Sequence, residues 1–188
     1  MLTSEQISSY FENGYLLVED VVTPEQLQRM QDITHEFIDR SRHVTASNDV
    51  YDLDQGHNSE TPKLTRIKLP HKQHPFFWDV LKNSGITEVL RQLVGPNAVL
   101  QTSKLNAKAP GGGAAVEWHQ DWAFYPHTND ECWPSVSFWR TSRKKMGRFR
   151  SFRDLIRARF WITIAPKVFF VVQWTQPTQT SILIKLSR

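Results

Sequence analysis

The sequence has one cysteine in 188 residues, Cys132, which rules out a disulfide framework within the chain and suits a reducing compartment. It also lacks a long apolar run. The most apolar late stretch, Phe160 to Val172, is shorter than the roughly 20 residues a bilayer span needs, and Pro166 and Lys167 interrupt it. No basic segment leads into an apolar one near the start, so no secretory signal is expected. Membrane spanning and secretion are therefore set aside, and a cytoplasmic protein is expected. At this length, with 39% hydrophobic residues, one domain can bury a core without metal or disulfide staples.

Two further scarcities are local. Residues 131–188 hold only 2 Asp+Glu against 12 Lys+Arg, a net charge of +10, whereas residues 1–130 hold 17 against 11, a net of −6. Histidine is missing after His127: all seven (His35, His43, His57, His71, His74, His119 and His127) lie in the first part, while four of the seven Trp lie in the second. So sharp a break marks Asp130/Glu131 as the main boundary.

What the first part contains reads as an ordinary α+β domain. Leu2 to Glu12 has the pattern of a short amphipathic helix, capped by Thr3 or Ser4 and stopped by Asn13-Gly14. Tyr15 to Val18 is a short apolar strand. Thr23-Pro24-Glu25-Gln26 combines an N-cap Thr, Pro at N1 and Gln at N3, predicting a helix to about Arg40 with Leu27, Met30, Ile33 and Phe37 on one face. His43 to Thr61 is polar and aperiodic, hence a surface loop. Leu64 to Leu69 is a strand, and Pro75–Lys82 and Ile86–Val94 are short helices, the second preceded by Ser84 and ended by Gly95-Pro96. Ala98 to Lys108 alternates apolar and polar residues and is the longest predicted strand, leading into the turn Ala109-Pro110-Gly111-Gly112-Gly113.

Beyond that turn, His119 and Asp121 are two residues apart. On extended backbone their side chains share a face and can meet one metal ion, two corners of a 2-His-1-carboxylate triad. Taken alone, the tripeptide fits better a His and an Asp bonded to each other or to backbone near a strand end.

Context changes that preference. Trp118-His119-Gln120-Asp121-Trp122 followed by Phe124-Tyr125-Pro126-His127, after a strand and a Pro-Gly turn, resembles the phytanoyl-CoA dioxygenase family of Fe(II)/2-oxoglutarate oxygenases. The N-terminal motifs Leu2-Thr3-x-Glu5-Gln6, Phe11-x-x-Gly14-Tyr15, Val21-Val22-Thr23-Pro24-Glu25-Gln26-Leu27 and Val94-Gly95-Pro96-Asn97 resemble it in the same order, covering about residues 1–130. The resemblance implies an α+β fold, with N-terminal helices on a double-stranded β-helix of cupin (jelly-roll) type. It implies Fe(II) held by His119 and Asp121, 2-oxoglutarate as co-substrate, and hydroxylation of a small molecule at an aliphatic C–H with release of succinate and CO2. It also suggests Lys104, and less directly Arg66, as side chains near 2-oxoglutarate. The alternative for both is solvated surface charge.

The family's third ligand, a distal His, has no counterpart after His127, and no Arg of residues 131–188 stands in a motif that would mark the carboxylate clamp. As written, the chain is expected to be a truncated β-helix, catalytically impaired, with exposed strand edges and apolar faces. The tail admits two readings. One is a basic, aromatic-interleaved arm that binds nucleic acid through phosphates and stacking, although its basic residues show no periodicity that would gather them on one face. The other is an out-of-frame remnant of the catalytic domain. With the third base of each codon taken as the first of the next, Glu131-Cys132-Trp133-Pro134 forces (Met or Val)-Leu-Ala. In the same frame, Met146-Gly147-Arg148 permits Asn-Gly-Pro, and Phe152 to Ile156 permits Pro-Gly-Ser-His. Lys167 to Thr175 permits Gly-Val-Phe-Cys-Gly-Ala-(Met or Val)-Asp-Pro, its Asp forced by Trp174-Thr175. Asn-Gly-Pro and then Pro-Gly-Ser-His is how the family continues, and the remnant is the expected reading.

Overall fold

Two capping boxes set the start of the fold. In the computed structural model, which describes residues 1–13, 15–97, 100, 102–107, 135–138 and 181–185, the elements run α1 (Ser4–Asn13), β1 (Tyr15–Glu19), α2 (Pro24–Ser41), β2 (Tyr51–Leu53), β3 (Leu64–Lys68), α3 (Pro70–Gln73), α4 (Pro75–Asn83), α5 (Gly85–Val94), β4 (Lys104–Asn106), β5 (Ser135–Phe138) and β6 (Ser181–Lys185). At α1, Gln6 N donates to Thr3 Oγ1 at 3.2 Å and Thr3 N donates to Gln6 Oε1 at 2.9 Å. Thr23 and Gln26 repeat the pattern at α2 with the same two distances, and Pro24 occupies N1. Each box satisfies helix donors that would otherwise lack partners.

Leu27, Met30, Ile33 and Phe37 form the buried face of α2, as their spacing predicts. Tyr10 of α1, Leu16 of β1, Phe77 and Val80 of α4, and Ile86, Val89 and Leu93 of α5 join them in one core with Tyr51, Leu64, Ile67 and Leu105 from the strands. The entry to α5 is set by a close approach. Gly85 N donates to Val21 O at 2.7 Å, and a Cβ at Gly85 would stand 3.0 Å from that oxygen, so a side chain there would push the helix off. Ser84 Oγ accepts from Ile86 N at 3.3 Å to cap the same turn.

The described strands form two three-stranded antiparallel sheets, ordered β2-β3-β4 and β1-β6-β5. Two expectations are corrected. The loop expected over His43 to Thr61 contains β2, which at three residues is too short to carry a readable alternation; the Asn48 carboxamide accepts from Val50 N and Tyr51 N, both at 2.9 Å, and launches it. The rest of that segment is tied down. His57 Nδ1 accepts from Lys63 N at 2.9 Å while Nε2 faces Ser41 O at 3.1 Å, and Arg42 Nη1 donates to Ser59 O and Glu60 O.

The strand expected over Ala98–Lys108 is, among its described residues, confined to Lys104–Asn106. Its partner β3 ends at Lys68, because Leu69 adopts a left-handed conformation (φ 47°, ψ 50°) and turns the chain into the unforeseen helix α3. Leu69 N donates to Ser103 O at 3.0 Å, which closes the ladder at that point. The β-prone stretch Phe160–Val172 lies outside the described residues. Within the tail, 135–138 and 181–185 are strands, and β6 pairs with β1 from Tyr15↔Lys185 to Glu19↔Ser181. No helix among the described residues is long and apolar enough to cross a membrane.

Ile67 is wholly buried in this core, whereas Thr23 acts through a cap. Ile67→Ala is expected to cost about 2–5 kcal/mol of folding stability and Thr23→Ala about 1 kcal/mol, measured by chemical denaturation. An Ile67→Ala cost no larger than that of Thr23→Ala would contradict this packing.

Candidate functional site

The sheet β2-β3-β4 has one face in the core and one polar face. Leu64 and Ile67 are both buried although three residues apart, which a regular strand forbids. The register explains it: Tyr51 faces Ile67 and Asp52 faces Arg66, but Leu53 faces Leu64, so Thr65 is an extra residue on β3, as in a β-bulge. The slip returns Leu64 to the core and leaves Arg66 on the opposite face.

There the strands align Asp52, Arg66 and Asn106 in one row, with Lys68 opposite Lys104 in the next. Arg66 Nη1 lies 3.3 Å from Asp52 Oδ2, and Arg66 Nε donates to Asn106 Oδ1 at 3.4 Å. Lys68 Nζ stands 2.7 Å from Asp52 Oδ1 and donates to Asn48 O at 2.8 Å. Arg66 is therefore a half-buried member of a polar row, with 27% of its side chain exposed, and Lys104 is likewise half-buried.

Asn106 is the unusual member. It is 3% exposed, and among the described residues its Nδ2 has no hydrogen-bond partner. An unmet buried amide donor costs roughly 1–3 kcal/mol, so an acceptor belongs beside it. Next to a guanidinium, that acceptor fits a carboxylate oxygen, and the row suits one end of a small dicarboxylate.

A second cluster lies at the Lys68–Lys104 end, built by the turn at Leu69. Ser103 Oγ is 2.5 Å from His71 Nδ1, and the His71 ring lies 6.0 Å from that of Trp78, which is 44% exposed. Burial holds the His71 imidazole below its usual range, and the Lys72 charge pushes the same way.

Of the residues expected at a site, Arg66 and Lys104 thus stand on the same face of the same sheet. His119 and Asp121 lie outside the described residues. Among the described residues no group of three or more His, Cys, Asp or Glu could hold a metal ion. Asn106 was readable in principle, since it shares a strand and a face with Lys104 two positions away. Asp52 was not, because its three-residue strand lies in a polar stretch without readable alternation.

Comparison with known proteins extends this geometry. The phytanoyl-CoA dioxygenase (PhyH) family profile matches residues 10–141. The chain belongs to the PhyH family. It is 33% identical over 128 residues to a Stutzerimonas stutzeri protein named "Probable alpha-ketoglutarate-dependent hypophosphite dioxygenase", covering 68% of this chain and 44% of that protein. It is 26% identical over 136 residues to a Caenorhabditis elegans "Probable phytanoyl-CoA dioxygenase", covering 67% of this chain and 43% of that one. The PhyH-family chain thus spans less than half the length of these curated relatives. Its fold is similar to the crystal structure of AviO1 from Streptomyces viridochromogenes Tue57 (TM-score 0.52, 16% identity), over 100% of this chain and 97% of AviO1. The PhyH profile reaches eleven residues past the Asp130/Glu131 boundary.

The His71 environment gives a signed expectation. A histidine whose folded form resists protonation contributes stability above its ordinary value of 6.5, and that contribution is lost as pH falls through the lower folded value. The wild type is therefore expected to lose more stability than His71→Gln on acidification from neutral pH to below 6.5. Parallel denaturation midpoints across that range would refute the assignment.

Proposed function

We propose that residues 1–130 are the N-terminal part of an Fe(II)/2-oxoglutarate-dependent oxygenase domain, and that the sheet β2-β3-β4 begins its double-stranded β-helix. His119 and Asp121 are the two metal ligands this chain supplies. Arg66, Lys104 and Asn106 face one carboxylate of 2-oxoglutarate. The observation that carries the reading is the buried, partnerless Nδ2 of Asn106 beside the Arg66 guanidinium, a donor pair for which a carboxylate is the fitting acceptor. A relative named for its dependence on alpha-ketoglutarate supports the choice of dicarboxylate.

When bound, Fe(II) would activate dioxygen at the expense of 2-oxoglutarate, one oxygen atom going to the substrate bond and the other to succinate, with release of CO2. This chain's residues bind and orient. Asn106 and Arg66 donate hydrogen bonds to the co-substrate, and Lys104 adds positive charge on the same face. The substrate is a small molecule offering an aliphatic C–H or, as the name of the Stutzerimonas relative suggests, a P–H bond. Residues 131–188 are an out-of-frame remnant. Without a distal His and an assignable clamp Arg, turnover is lost while a weakened metal and co-substrate site remains. The protein acts in the cytoplasm.

Calorimetric titration of the full chain with Mn(II) and 2-oxoglutarate tests this reading. Weak binding of both is expected, with metal lost in His119→Ala and 2-oxoglutarate lost in Arg66→Ala, and with no succinate formed. Succinate production that vanishes in His119→Ala would overturn the inactivity, and unchanged titrations in both variants would overturn the site. Sequencing DNA across the codons for Asn129 to Trp133 is expected to reveal a lost or gained base.

A further inference from the structure

We infer that Asp52 is a positioning residue for the anion site: its carboxylate, held by Arg66 and Lys68 together, fixes the Arg66 guanidinium and through it the Asn106 amide. The inference rests on the co-substrate reading above, which assigns Asp52 no part.

Arginine reaches its partners on a long, freely rotating stem and orders a ligand only if something else orders the arginine. The Arg66–Asn106 contact at 3.4 Å is long and is a weak hold by itself. Asp52 supplies a second one, 3.3 Å from Nη1, and its other oxygen is anchored at 2.7 Å by Lys68 Nζ. Asp52 is itself fixed. It pairs with Arg66 in register, its carbonyl accepts from Thr65 Oγ1 at 3.2 Å, and its side chain is only 25% exposed.

The consequence reaches Asn106. Because Arg66 Nε donates to Oδ1, the carboxamide is oriented with its NH2 turned away from Arg66, and that NH2 is the buried donor without a partner. Two contacts use Nε and one Nη1 hydrogen, so three of the five guanidinium donors remain for a ligand. Loss of Asp52 would release the guanidinium, and the amide would lose its fixed sense.

A simpler role for Asp52 is charge compensation, and the two roles predict opposite signs. As a mere counter-charge, Asp52 weakens the attraction for an anion, so Asp52→Asn should tighten binding. As a positioning residue, it strengthens binding and Asp52→Asn should weaken it.

The experiment uses the full-length, ¹⁵N-labelled chain. The Arg66 Nε–H resonance, identified by its absence in Arg66→Lys, reports the guanidinium without any ligand, and titration with 2-oxoglutarate reports the site. In Asp52→Asn the Nε–H signal is expected to collapse towards the solvent-exposed arginines, and 2-oxoglutarate affinity to fall about tenfold. Asp52→Glu should restore part of both, and the Asp52 change should add no loss in an Arg66→Lys background. Should Asp52→Asn fail to fold, Asp52→Glu carries the comparison through a graded shift of the same resonance. An unmoved Nε–H signal, or tighter binding, overturns the role of Asp52 and leaves the co-substrate reading standing. A wild type that shows the Asp52-dependent signal but binds no 2-oxoglutarate overturns the co-substrate reading, and the proposal with it.

Discussion

The one-residue slip at Thr65 is the constraint on which the site depends. Leu64 and Ile67 must both reach the core, yet at a separation of three they point to opposite faces of a regular strand. The extra residue reconciles them, and it does so between Leu53 and Asp52, where one side chain belongs to each face. Arg66 then stands opposite Asp52 on one side and Asn106 on the other. The Thr65 carbonyl still accepts from Ala107 N at 3.1 Å, and its hydroxyl donates to Asp52 O at 3.2 Å. The bulge thus couples apolar packing to the placement of a cation. Removing it would flip either Leu64 into the polar row or Arg66 into the core, and each outcome is expensive.

The helices were legible because their signals are local. Thr23-Pro24-Glu25-Gln26 and Ser84 act within three or four residues of themselves, and the face formed by Leu27, Met30, Ile33 and Phe37 follows from helical period alone. The strands were less legible for the opposite reason. β2 is defined by its partner β3 and by a single Asn48 carboxamide, neither of which leaves a periodic trace. The start of β4 at Lys104 is set by Leu69, thirty-five residues earlier, whose left-handed backbone nothing in its own residue type announces. For the site, Arg66 and Lys104 came from a family resemblance, and the structure puts them on a common face. Asn106 and Asp52 acquire meaning only through cross-strand register. The candidate ligands His119 and Asp121 rest on sequence motif and family membership.

The pairing of β1 with β6 is of a different kind. Its ladder uses main-chain groups, which any extended segment of suitable propensity can supply, and Ser181-Ile182-Leu183-Ile184-Lys185 is such a segment. That pairing therefore carries no information about which reading frame produced residues 131–188. The chain spans less than half the length of the curated relatives it matches. The contacts that join Asp52, Arg66, Lys68 and Asn106 on β2, β3 and β4 do not depend on the β1–β6 pairing, since each is made between residues 48 and 106.

That independence bears on what this sheet can do by itself. Arg66 and Lys68 stand on one face of a small sheet and share the Asp52 carboxylate. Among the described residues the Asn106 amide beside them has no acceptor. Buried polar groups are seldom left unmet unless something outside the fold meets them. A carboxylate oxygen would supply the missing acceptor beside the Arg66 guanidinium, which is the chemistry on which the co-substrate reading proposed above rests.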